Sequence, residues 1–123
     1  MSLPADLRYT SDHEWIATDE VSTVGITAHA ADALGDVVFL SLPAVGSTIV
    51  GGRPCGEIES TKSVSDLIAP ADGEVVEINE AAVAAPEVVN RDPFGQGWLF
   101  RMRITGVGDL LDATAYAALI EGA

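Results

Sequence analysis

The stretch Glu57-Ile58-Glu59-Ser60-Thr61-Lys62-Ser63-Val64-Ser65-Asp66 holds the only lysine in the chain. Two β-like runs, Pro54 to Ser60 and Ser63 to Ile68, flank Thr61-Lys62. That spacing predicts a hairpin with Lys62 at or beside a two-residue turn. Soluble proteins usually scatter lysines over the surface, because a hydrated ammonium keeps them in solution. Here 19 acidic residues take that role, and arginine supplies the remaining cations. A hairpin tip projects a side chain while its strands hold the base, which is a good mount for a tethered group. A solvated turn lysine would look the same in isolation. Its uniqueness, with Glu59 and Asp66 close on either side, turns attention to the amine.

The rest of the chain reads as short β-segments punctuated by Gly and Pro. Strands are expected at Val21–Ile26, Val37–Leu42, Glu74–Ile78 and Trp98–Ile104, with a turn at Pro70–Gly73. In the last strand, alternation puts Trp98, Phe100, Met102 and Ile104 on one face, and Arg101 and Arg103 on a solvated one. A short helix is expected over 27–34, capped by Thr27 and ended by Gly35. A C-terminal helix is expected over 109–121, with Asp112 as a cap, Gly122 past its end, and Leu111, Tyr116, Leu119 and Ile120 as its apolar residues. Gly35-Asp36-Val37-Val38-Phe39-Leu40 is echoed by Gly73-Glu74-Val75-Val76-Glu77-Ile78, and Ala44-Val45 by Ala82-Val83 at the same offset. The echo predicts two similar β-units folded on each other, with Lys62 in the connection between them.

A length of 123 residues, 48% of them hydrophobic, is enough for one domain with a real core, here 1–123. The net charge of −13 argues against nucleic acid and an anionic membrane surface as partners, since both need a basic patch. It suits docking on basic surfaces of other proteins. Cys55 stands alone, so no intramolecular disulfide or cysteine metal cluster can form; it reads as a small buried hydrophobe. No apolar run reaches membrane-spanning length, and Met1–Thr10 lacks the pattern of a signal or transit peptide. Trp15, Trp98 and His13 read as structural.

Blocks of sequence in order then carry a resemblance. They include Arg8-Tyr9-Thr10, His13-Glu14-Trp15, Val24-Gly25-Ile26-Thr27 and Ala33-Leu34-Gly35-Asp36-Val37-Val38-Phe39. They continue through Gly46, Glu59-Ser60, Lys62, Ser65-Asp66-Leu67, Gly73–Asn79, Pro86-Glu87-Val88-Val89-Asn90, Asp92-Pro93, Gly97-Trp98-Leu99 and Leu110–Ala113. Over nearly its whole length the chain resembles the H proteins of the glycine cleavage system, which are lipoyl carriers. The resemblance implies a mainly β fold, a hybrid barrel-sandwich of the biotinyl/lipoyl carrier type with short helices and a C-terminal helix. It implies lipoate in amide linkage on Lys62. Glu59, Asp66 and Gly46 match positions used in recognition by the lipoate-attaching enzyme, and Glu14, His29 and Asp66 match positions near the cleft where the loaded arm docks.

By the same resemblance, the chain would take the aminomethyl group of glycine from glycine decarboxylase, a pyridoxal-phosphate enzyme. Aminomethyltransferase would pass the carbon to tetrahydrofolate, and dihydrolipoamide dehydrogenase would reoxidise the arm with FAD and NAD. The chain itself would be a non-catalytic carrier in a bacterial cytoplasm. Thr61 and Ser63 depart from the small apolar residues expected beside the lysine. A biotin carrier domain is disfavoured, since that family flanks its lysine with methionines and only Met1 and Met102 occur here. A relay that passes lipoate to other enzymes is the other alternative; Glu14 and His29 favour glycine cleavage. A stand-alone enzyme finds no nucleophile–base pattern.

Overall fold

The computed structural model describes residues 3–108 and 110–121. Two antiparallel sheets form the body. The larger has six strands: β1 (Arg8–Tyr9), β2 (Glu14–Ala17), β3 (Ser22–Ile26), β9 (Phe100–Gly106), β8 (Asp72–Ile78) and β5 (Thr48–Ile49), in that spatial order. The smaller has β4 (Val37–Ser41), β6 (Pro54–Ser60) and β7 (Val64–Ile68), with β6 in the centre. Four helices cover the ends: α1 (Ala28–Leu34), α2 (Glu80–Ala84), α3 (Val88–Arg91) and α4 (Ala113–Glu121).

Strand alternation explains how the sheets meet. Ile16, Val24, Val75, Phe100 and Met102 of the larger sheet pack with Leu40, Ile58 and Leu67 of the smaller in one buried cluster. This is the barrel-sandwich expected. A second cluster gathers Leu7, Tyr9, Trp15 and Tyr116 beneath α4. Trp15 lies flat on Gly25, where a Cβ would fall 2.6 Å from the indole, so only glycine fits that strand position. Its Nε1 donates to the Pro93 carbonyl at 2.9 Å.

The echoing segments become β4 and β8, one in each sheet. Each carries a β-bulge at the same step, between Val37 and Phe39 in β4 and between Val75 and Glu77 in β8. The likeness stops after the strands, because Ala82 is buried in α2 while Ala44 is exposed in a loop.

Several expectations needed correction. Trp98 leaves the face of Phe100 and Met102 and packs with the second cluster, since the strand starts only at Phe100. Arg101 is not simply solvated: its guanidinium lies 4.2 Å over the Trp98 ring and pairs with Glu77 at 2.8 Å. The C-terminal helix starts at Ala113, because Leu111 is held extended by backbone bonds to Tyr9 and Asp112 then caps, accepting from the Ala115 N–H at 2.8 Å. Leu119 is exposed, so Tyr116 is the buried anchor of α4. Asp109 and Gly122 lie outside the described residues.

Candidate functional site

Ser60 builds the tip on which Lys62 stands. Its Oγ accepts from the N–H groups of Lys62 and Ser63, both at 3.2 Å, and its N–H donates to the Ser63 carbonyl at 2.8 Å. A serine side chain thus does the work of a backbone turn. Because the Ser63 amide is turned inward, β7 begins at Val64, and the tip is Thr61-Lys62-Ser63 rather than two residues. Thr61 and Ser63 are exposed, so their departure from the small apolar pattern costs the backbone nothing.

A clamp joins this tip to the end of α1. The Thr61 N–H donates to the Asp36 carbonyl at 3.0 Å. Asn90 of α3 grips both sides of Asp36, accepting from the Val37 N–H at 2.9 Å and donating to the Gly35 carbonyl at 2.8 Å. Gly35 ends α1 with φ +82°, a conformation suited to glycine. A Cβ there would sit 2.8 Å from Lys62 Cε, so the lysine stem rests on bare backbone. The amine itself is exposed.

Leu34, the residue before Gly35, lines a cleft of about 200 Å³. Ala30 and Ala33 of α1 form one wall, Ser65 and Asp66 of β7 another, and Glu14 the floor. Glu14 is 2% exposed. Its carboxyl accepts from the Thr10 hydroxyl at 3.4 Å. Burial, followed by the charge of Asp12, pushes its pKa up to about 8. A carboxyl in this state is mostly neutral near pH 7 and ionises when a cation compensates for the lost water.

His13 also lines the cleft, at φ +67°. Its Nδ1 lies 2.8 Å from the Tyr116 hydroxyl, which also meets Thr27 Oγ1 at 2.8 Å. Its pKa is lowered, by burial first and then by His29. The His29 ring is 4.8 Å from that of His13, behind the cleft wall rather than on it. So Glu14 and Asp66 meet in one cleft, His29 backs it, and His13 is a lining residue that the sequence left as structural. Glu59 is exposed on β6 between Phe39 and Val64. Gly46 is elsewhere, in the loop beyond the far end of β4, where its N–H donates to the Val75 carbonyl at 2.7 Å. Cys55 is half-buried, and burial pushes its thiol up to about 12, so it is inert.

A family profile described as glycine cleavage H-protein matches residues 7–122. The chain belongs to the glycine cleavage H-protein family. It is 61% identical to the glycine cleavage system H protein of Beutenbergia cavernae, over 99% of both chains. It is 58% identical to that of Streptomyces coelicolor, over 96% of this chain and 97% of the other. A crystal structure of a glycine cleavage system H protein from Mycobacterium marinum superposes with a TM-score of 0.93 at 51% identity, covering 98% of this chain and 100% of the other. As a member of this family it is a lipoyl carrier in glycine cleavage and not itself a catalyst. The family carries lipoate and works with the other enzymes of that system.

Proposed function

We propose that Lys62 is the lipoyl attachment point of a single carrier domain spanning 1–123, and that the Glu14 cleft receives the loaded arm. The observation that carries this reading is the placement of the chain's only lysine, exposed and rooted on Gly35, where the wall of an acid-floored cleft begins. When bound, lipoate supplies the dithiolane that takes up the aminomethyl group of glycine and is left as a dithiol.

The residues do the rest. Acylation removes the Lys62 charge. Ala30, Ala33 and Leu34 offer an apolar wall to an alkyl chain, while Glu14 and Asp66 offer carboxylates to a cationic amine. An ammonium beside Glu14 favours loss of the Glu14 proton, giving a charge-assisted bond strengthened by the exclusion of water. His13 is tied through Tyr116 to Thr27 at the start of α1, and His29 packs on the His13 ring. Glu59, Asp66 and Gly46 are the positions proposed for recognition by the lipoate-attaching enzyme. The partners of the reading are glycine decarboxylase, aminomethyltransferase and dihydrolipoamide dehydrogenase. Its location is the bacterial cytoplasm; no described helix is long and apolar enough to cross a membrane.

Intact-mass measurement after incubation with a lipoate ligase, lipoate and ATP tests the attachment. One lipoyl adduct is expected on the parent and none on Lys62→Arg. An adduct surviving in Lys62→Arg would sink the assignment.

A further inference from the structure

We propose that Val38, Phe39 and Val64, on the outer face of the small sheet, form the docking surface for the enzyme that acylates Lys62, and that this enzyme presents an apolar contact edged by basic residues. The proposal rests on Lys62 being the acylated residue.

The first observation is a break in alternation. Strict period-two alternation would turn Phe39 inward together with Val37. The bulge between them instead turns Phe39 outward, so that two successive apolar side chains face solvent: Val38 is 48% and Phe39 55% exposed. Bulges commonly re-aim a side chain toward a functional surface.

The second observation is an internal control. The echoing strand β8 has its bulge at the same step, and at the position of Phe39 it carries Glu77, which pairs with Arg101. The site accommodates a charge in one unit and carries a large apolar ring in the other. Ordinary surface chemistry accounts for Glu77 but not for Phe39.

The third is placement. Cross-strand register puts Phe39, Glu59 and Val64 in one row across β4, β6 and β7, with Val64 57% exposed. The next row is Ser41, Glu57 and Asp66, and the exposed Asp36 stands at the other end. The result is three exposed apolar side chains around Glu59, edged by Glu57, Asp66 and Asp36, with Lys62 between Asp36 and Val64 in the chain. Such an arrangement complements an apolar surface with a basic edge.

The occupant follows from reach. Before acylation the amine stands on its own four-carbon stem, lying on Gly35. An enzyme that reacts with that nitrogen must cover the neighbouring residues. An enzyme that uses the finished arm can take its cargo at the arm's length.

The test measures lipoylation kinetics with a purified lipoate ligase, lipoate and ATP, varying the concentration of this protein. Phe39→Ser and Phe39→Glu, the latter copying the β8 unit, are each expected to raise KM about tenfold while leaving kcat and Tm near the parent values. Val64→Thr should raise it less, and Val107→Ser, an exposed apolar residue elsewhere, should not change it. Raised salt should increase the parent's KM. Parent-like KM in both Phe39 variants overturns the docking surface while leaving Lys62 acylation intact. Absence of any adduct on the parent overturns both. If the variants lipoylate normally but lose exchange with glycine decarboxylase, or if a parent dimer dissociates in Phe39→Ser on sedimentation, the face belongs to that enzyme or to a second copy, and the proposal is wrong.

Discussion

At the residue scale, Glu14 carries a stability cost that the proposed docking of a cationic arm would offset. Its carboxyl has an ordinary pKa of 4.5 and about 8 in the folded chain. Between those values the folded state binds the extra proton, so stability falls as pH rises through the window. The loss amounts to a few kcal/mol, given about 1.4 kcal/mol per pH unit. Glu14→Gln keeps the shape and carries no such penalty. Its Tm relative to the parent should therefore rise by roughly 10–20 °C between pH 5 and pH 9 in thermal melts; a difference that stays flat with pH would refute this. The same variant should hold a cationic amine poorly, and release of ammonia from the loaded arm should be about tenfold faster than in the parent.

The lysine and its flanking acids could be singled out from residue type and spacing alone, whereas Glu14 came only from the resemblance to H proteins. Ser60 could not, because a serine beside a turn carries no mark of which amides it will satisfy. His13 was assigned to structure, and it does hold Tyr116, but a positive φ and a contact with α4 bring it to the cleft as well.

At the scale of elements, the tip is held by chain segments far apart in sequence. Asn90 on α3 supports the Gly35–Val37 loop, which in turn accepts the Thr61 amide. Asn90→Ala leaves two backbone groups without partners and should cost about 1–3 kcal/mol. Hydrogen exchange should show the Thr61 amide opening faster, with β3, β8 and β9 of the larger sheet affected less. Equal loss of protection everywhere would mean that Asn90 is only a general stabiliser. Ser60→Ala should cost about 1 kcal/mol, less than Asn90→Ala, since water can reach the freed amides of Lys62 and Ser63; denaturant unfolding decides the order. The hairpin, α1 with its Thr27 cap, and the echoing strands β4 and β8 were legible, because each is specified by local pattern. The start of α4 was not, because the extended bridge of Leu111 to Tyr9 overrides good helix formers.

Across the whole molecule, the two sheets close on one core, and a net charge of −13 surrounds it. Leu40 and Ile58, from the small sheet that carries the tip, are 3% and 2% exposed. Either one changed to Ala should cost about 2–5 kcal/mol, read as a lower Tm. The acidic field should speed encounters with basic partner surfaces. Association rates are expected to drop about tenfold from low to high salt, as screening shortens the field. Salt-independent rates would show that the charge serves solubility alone.

The sequence by itself determined a β-rich domain with one addressable amine, because a unique residue type, turn chemistry and alternation are all local or compositional; the carrier role came from its resemblance to H proteins. Only the tertiary structure decided that Lys62 rests on Gly35 at the end of the Glu14 cleft, and that Phe39 faces outward beside it. Both depend on contacts between segments distant in the chain and on a bulge that shifts the register by one residue. Such a shift reverses which side chains are buried, and no strand pattern read on its own reveals it.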